Sequence, residues 1–500
     1  MGSEFSKQTL KPQAEKHIAI TIERPDVLTL MDFDGEEGIV YKTLTENWMD
    51  EVTSCQQTLY FYCFLLAKKP FNVPILMSIN NTEYIRNAVR ARHSFCDVLS
   101  KLDDLGVKLL TTAYFGKTFT RTTLVLQRDV YNTTSESYST RNVDELYICV
   151  AIRSNNAIII PATAGLCRFP ISWIQNEFGQ MIVKADINDD FVDFTFKDDL
   201  FSAYSITYEN MIHGKRMFLG LIRQLAQRGY EYVAPISIKG CTRNDTFYFK
   251  MIRQPVEKDK TYFFISPEEK NRLRLYETPP IIAEFIKKTI SRLVLKEVKR
   301  PYLGCTEIIF AGQPFMCNDR TLLLTQIDML EIIESLRKNG FKLVGHLQTT
   351  LNVNEKAVML FESTNEKPVP IFAISFQGAD VLQVLKAPIR VVTLIREAIC
   401  NVWQKAIQEE SIILNGTAFK LKGRPFAARD TSIDCQHGLH MLIFIIEKLS
   451  EVGWKFKIAL DVGSRATSDS EIGFLEDGIM MIFEANLSSG NGEGKVYGVG

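Results

Sequence analysis

Apolar positions along this chain fall into a block that is written four times. In each block an amphipathic helix ends on a glycine and a strand follows. The glycines are Gly106, Gly229, Gly340 and Gly453, and four residues before each stands Leu102, Leu225, Leu336 or Leu449. Seven and eight residues before them stand the pairs Val98-Leu99, Leu221-Ile222, Ile332-Ile333 and Ile445-Ile446. These offsets set one apolar stripe on a helix face, and the glycine falls where a left-handed C-cap residue belongs. In three blocks an aromatic (Tyr230, Phe341, Trp454) opens the following strand.

Beyond the glycine the pattern predicts a second strand at 123–126, 247–249, 358–361 and 472–475, and a third at 146–152, 262–266, 371–375 and 480–483. A fourth strand and a closing helix read best in the middle blocks, where Leu273 to Tyr276 precedes Pro279-Pro280 and Leu382 to Leu385 precedes Ala387-Pro388. Proline is tolerated in a first helical turn because its missing N–H has no partner there anyway. Upstream of the glycine-ended helix, Gly312-Gln313-Pro314-Phe315 matches Gly423-Arg424-Pro425-Phe426 as a strand end. One unit therefore reads strand, helix, four strands, helix. The fold class this predicts is α+β, a tandem array of four divergent repeats with mainly antiparallel sheets covered by helices.

Boundaries on this reading are 1–16 as a tail opening on a cloning remnant (Met1 to Phe5), 17–57 as the tail of a preceding repeat or a closing segment, then repeats at 58–177, 178–300, 301–410 and 411–500. The piece from Ala19 to Trp48 reproduces the order of Ala373 to Trp403, so the chain starts late in a unit, and its fourth unit lacks a closing helix. An open array cut from a longer one is the expectation; a ring shut by the N-terminal piece is the alternative.

Composition changes this picture little. The chain has 500 residues, 46% of them hydrophobic, enough for large cores, and 58 Lys and Arg against 59 Asp and Glu. No global field draws it toward nucleic acid or anionic lipid. Ten cysteines with no Cys-x-x-Cys, and no apolar stretch of membrane-spanning length, point to a reducing compartment, cytoplasmic or nuclear.

Candidate chemistry is sparse. Gly490 to Val496 lacks the spacing and the Lys-Ser/Thr of a phosphate loop. Asp186, Asn188 and Asp190 start like a calcium loop, but Phe191 and Lys197 replace its glycine and glutamate. Cys435, His437 and His440 are the only clustered soft ligands and lack a fourth, so neither a metal nor a cofactor is expected. The 131–142 loop is rich in hydroxyls and reads as an exposed connector.

The strongest charged feature is the closing helix of the second repeat. There Lys288, Arg292, Lys296, Lys299 and Arg300 share one face, opposite Ile282, Ile286, Ile290 and Val294. Residues held in register across the repeats are glycine, leucine and aromatics, which pack rather than react. The leading expectation is thus a non-catalytic, intracellular multidomain scaffold binding other proteins through its repeated domains. Nucleic-acid (RNA) binding through the basic stripe is the alternative. An enzyme with one specialised repeat, carried by Cys435, His437 and His440, is the second.

Overall fold

A computed structural model describes residues 16–24, 27–33, 35–48, 52–57, 61–66, 82–113, 122–128, 146–161, 164–202, 207–236, 246–252, 260–299, 301–317, 319–350, 356–426, 433–465 and 476–486. The chain repeats one order four times: two strands, helix, two strands, helix, two strands. The first domain holds β1 (Lys16–Arg24), β2 (Val27–Met31), α1 (Glu37–Trp48), β3 (Val52–Gln57), β4 (Phe61–Leu66), α2 (Thr82–Asp104), β5 (Val107–Ala113) and β6 (Thr122–Arg128). The second holds β7 (Tyr147–Ser154), β8 (Ala157–Pro161), α3 (Ala164–Phe178), β9 (Ile182–Ile187), β10 (Phe191–Phe196), α4 (Tyr208–Gln227), β11 (Tyr230–Ile236) and β12 (Thr246–Met251).

The third domain is β13 (Tyr262–Glu268), β14 (Arg272–Tyr276), α5 (Ile281–Thr289), β15 (Leu295–Val298), β16 (Cys305–Phe310), β17 (Met316–Cys317), α6 (Asp319–Lys338), β18 (Phe341–Leu347) and β19 (Val358–Ser363). The fourth is β20 (Ile371–Gln377), β21 (Val381–Leu385), α7 (Ile389–Val402), β22 (Ile407–Ile413), β23 (Gly416–Leu421), α8 (Ile433–Glu451), β24 (Trp454–Arg465) and β25 (Glu476–Ala485). Each domain forms its own antiparallel sheet, with the first ordered β3-β4-β2-β1-β6-β5 and the others likewise. Among the described residues the one parallel pairing joins β17 of the third domain to β24 of the fourth.

The four α+β repeats are therefore present, in a different phase from the one read in the sequence. Residues 17–57 supply half of the first sheet, because β1 and β2 pair with β6 and β4. Each unit also has one more strand than the pattern showed: β3, β9, β15 and β22 lie at the outer edges of their sheets. In the fourth domain, β25 spans the residues expected as a third strand yet pairs along β24 as the second; residues 472–475 lie outside the described segments.

The glycine register is borne out in the backbone. Gly106, Gly229, Gly340 and Gly453 have φ of 78°, 87°, 83° and 84°. Their N–H groups donate to Asp103, Ala226, Arg337 and Ser450 carbonyls, which closes each helix where its last carbonyls would otherwise lack partners. The Gly-x-Pro-aromatic ends match too: Phe315 and Phe426 N–H groups donate to the Lys270 and Ala379 carbonyls, and both rings are buried.

Alternation along the first strands shows how the domains assemble. On β13, Phe263 and Ile265 enter the core of their own domain, while Tyr262 and Phe264 enter the core of the second. On β20, Phe372 and Ile374 face their own core, and Ile371 and Ala373 face the third. Successive side chains point to opposite faces, so each sheet is covered on one side by its own helices and on the other by the long helix of the preceding domain. Helices α2, α4 and α6 pack on β7, β13 and β20 in turn, and α8 packs on β1. Ala19 and Met31 complete the fourth domain's core, and the His17 N–H donates to the Glu447 carboxylate at 3.0 Å. Among the described residues the four domains thus close into a ring, in place of the open array expected.

Candidate functional site

Four inner strands meet at the ring's centre. Strand β5 packs against both β11 and β24, and β18 touches β11 and β24 in turn. Each strand carries a β-bulge at the same repeat position, between Leu109 and Thr111, Tyr232 and Ala234, Leu343 and Gly345, and Phe456 and Ile458. The extra residues are Leu110, Val233, Val344 and Lys457. A bulge leaves one residue out of the ladder and increases the local twist, which turns an edge away from further pairing. All four of these residues line a cavity of about 430 Å³ between the strands.

The cavity's charged walls are Lys260, Lys342, Lys457, Glu231 and Glu362. Glu362 is shared by Lys342 at 3.1 Å and Lys260 at 3.4 Å. Lys342 also meets Glu366, outside the cavity, at 2.6 Å. Burial weakens the Lys342 ammonium, but Glu366 and Glu362 outweigh it and raise its pKa. Glu231 is solvent-reached at its side chain, yet the protein packed around it pushes its carboxyl above the ordinary range, against the pull of Lys250. Lys457 makes no ion pair among the described residues. Tyr232 fixes the wall between the second and third domains: its hydroxyl donates to the His346 carbonyl. A Cβ on Gly345 would come within 2.4 Å of its ring.

A second cluster lies where α4 covers the third sheet. Lys215 and Arg274, each about 1% exposed, face Glu268 and Glu307. Lys215 reaches Glu268 at 3.1 Å, and Arg274 pairs with Glu268 and, at 2.9 Å, with Glu307. The Tyr276 hydroxyl donates to Glu268 at 2.7 Å, and the Arg274 guanidinium lies over the Tyr208 ring, 4.6 Å from its centroid. Burial opposes ionisation of both carboxyls. Lys215 and Arg274 nonetheless hold Glu268 below its ordinary value, and hydrogen bonds from Lys299, Arg272 and Arg274 bring Glu307 down to about 2. Burial also pushes the neighbouring Cys305 thiol up to about 12. Each of these four buried charges faces an opposite one, an arrangement that holds two domains together.

The junctions share a further device. Asp32, Glu277 and Lys386 follow the second strand of their domains with φ of 59°, 50° and 58°, and each points to the preceding domain's long helix. Glu277 pairs with Arg216 and Arg223 of α4, Lys386 with Glu334 of α6 at 2.8 Å, and Asp32 with His440 of α8 at 3.4 Å. His440 and His93 both stand thirteen residues before their helix-ending glycine. His93 reaches the Asp190 carbonyl of the next domain at 3.1 Å.

The basic stripe read from the sequence does not lie on one helix. Helix α5 stops at Thr289, and the Asp328 carboxylate of α6 accepts from the Arg292 and Leu293 backbone N–H groups at 3.0 and 2.8 Å. That capture turns the chain into β15, where Val294, Leu295 and Val298 suit a strand. Lys288 ends up exposed on α5, and Lys296 is the bulge residue of β15. The Arg292 side chain pairs with Asp328 and Glu331, and Lys299 pairs with Glu307. Arg300 lies outside the described residues. Cys435, His437 and His440 do open α8, but they do not converge: the Cys435 thiol faces the Arg424 carbonyl, His437 lies against Trp403, and His440 faces Asp32. Among the described residues no group of His, Cys, Asp and Glu could hold a metal, and no helix is long and apolar enough to cross a membrane.

One domain-family model matches the chain twice, over residues 261–362 and 370–475, together less than half its length. Both spans start where the third and fourth sheets start, in the phase of the structure. No curated protein and no solved structure matches the chain.

Proposed function

We propose that this ring is a non-catalytic platform that binds other proteins by adding their strands to its outer sheet edges. The observation that carries this reading is the exposure of apolar side chains along those edges. On β22, Ile412 is 94% exposed and Leu414 follows at 48%; on β9, Val183 and Ile187 are exposed, and on β15, Leu295. An edge strand offers unpaired N–H and C=O groups, and exposed apolar residues beside them supply side-chain recognition. Strand β22 is the best placed, because Glu409 to Ile413 runs in unbroken register with β23 and leaves its other side open.

The test is a selection of random displayed peptides on the folded protein, repeated on an Ile412→Lys, Leu414→Lys variant that retains its circular dichroism. Extended apolar peptides that bind the first protein and not the second support the reading. Failure to select peptides, or selection indifferent to rim variants on β9, β15 and β22, sinks it.

A further inference from the structure

We infer that the central cavity is a binding site for a small organic anion with an apolar body, held by Lys457. The argument starts from the repeat. Position by position the four inner strands are equivalent, and at the bulge three of them carry Leu110, Val233 and Val344. The fourth carries Lys457 at that position. A bulge re-aims its extra side chain, and here all four are aimed at one space. Three aliphatic residues and one ammonium therefore form a collar around it.

The placement of Lys457 sets the sign of the ligand. Lys260 and Lys342 share Glu362, and Lys342 is drawn further out by Glu366. Lys457 has no carboxylate within ion-pair distance among the described residues, and Glu231 acts on it only from farther off. With Glu366 counted, the three lysines meet three carboxylates, so the anionic end of a ligand is assigned by Lys457 alone, whose side chain lines the space. The volume of about 430 Å³ falls in the range of small-molecule sites, roughly 300–1,000 Å³. The aliphatic part of the collar favours a ligand with a hydrocarbon or aromatic body over a bare inorganic ion, because filling it with hydrated ions would leave Leu110, Val233 and Val344 against water.

The proposal is independent of strand addition at the rim and is tested on the full chain. The probe is 1-anilinonaphthalene-8-sulfonate, one negative charge on an aromatic body, followed by fluorescence titration and calorimetry. The wild-type protein should bind one equivalent saturably. Lys457→Leu, which installs the residue of the first repeat, should weaken binding roughly 10- to 100-fold, the loss of one hydrogen bond to a charged group. Val344→Trp should block the cavity and abolish binding. Glu362→Gln, which releases Lys260 and Lys342 from their shared carboxylate, should tighten binding, an effect that general destabilisation would not produce. Absence of saturable binding, or equal affinity in the Lys457→Leu and Val344→Trp proteins, overturns the inference.

Discussion

Replacing Glu268 by Gln tests the account of the junction between the second and third domains. The substitution keeps the shape and removes the charge between Lys215 and Arg274, whose side chains are both 2% exposed. At 3.1 Å and an effective dielectric of 20, the Lys215 pair is worth about 5 kcal/mol before desolvation. Arg274 retains Glu307 and Glu269, so the loss falls mainly on Lys215. Breaking a buried pair from one side costs about 3–5 kcal/mol, because the remaining charge stays buried. A four-domain chain need not unfold in one step, so the assay is site-resolved: hydrogen exchange at α4, β13 and β14, together with a thermal melt. Exchange there should accelerate more than at β20 or β25. In the double variant Lys215→Met, Glu268→Gln the ammonium facing that carboxylate is gone as well, and the cost should fall short of the sum of the two single changes by about 1–3 kcal/mol. A Glu268→Gln protein within about 0.5 kcal/mol of wild type, the range of an ordinary surface change, or strict additivity in the double variant, would refute the reasoning. Acid should mimic the substitution. Glu268 and Glu307 have depressed values in the fold, so their contribution is present above the unfolded value of 4.5 and is lost as pH falls, through about 2 for Glu307.

Three further outcomes are expected. Burial holds His346 down at about 3 against 6.5 when unfolded, so stability should fall by about 1 kcal/mol per pH unit below 6.5; denaturation of His346→Leu across pH 4–7 should show a shallower slope. Gly345→Ala should destabilise the second junction by about 1–3 kcal/mol, since its Cβ meets the hydrogen-bonded Tyr232 ring, and a melt unchanged by the substitution would argue against that lock. Iodoacetamide at pH 8 should label the exposed Cys55 and Cys400 while leaving Cys305, buried and raised to about 12, unmodified in the native protein by mass spectrometry.

The sequence shows the parts of this fold that depend on local geometry. Leucine and glycine at fixed offsets mark the end of each long helix because stripe and cap are set within one or two turns. The outer strand β15 is hidden because Ile282, Ile286, Ile290 and Val294 keep helical spacing past Thr289, and the stop comes from Asp328 on another helix. The phase of the repeat is ambiguous in any cyclic pattern; only pairing fixes it, as where β1 joins β6. The ionic cluster is harder still. Arg272-Leu-Arg-Leu-Tyr reads as a strand with one wet face, and that face is dry because α4 of the preceding domain covers it. The axial cavity leaves one trace in the sequence, a lysine where the other repeats carry leucine and valine, and it is visible once the repeats are aligned on their glycines.

The ion pairs at the domain junctions have a consequence for the order of the ring. Glu277 meets arginines, whereas Lys386, at the same position one domain later, meets a glutamate. Polarity is reversed between these two joints, so the third and fourth domains each carry a lock that fits their own predecessor. Third domains arranged in a ring among themselves would set Glu334 against Glu277, and exchanging the third and fourth domains would bring Arg223 to Lys386. Like charges so placed repel, and wrong neighbours are penalised even though the apolar contacts are shared by all four. The third and fourth domains have thereby become non-interchangeable parts, each with its own address in the circle.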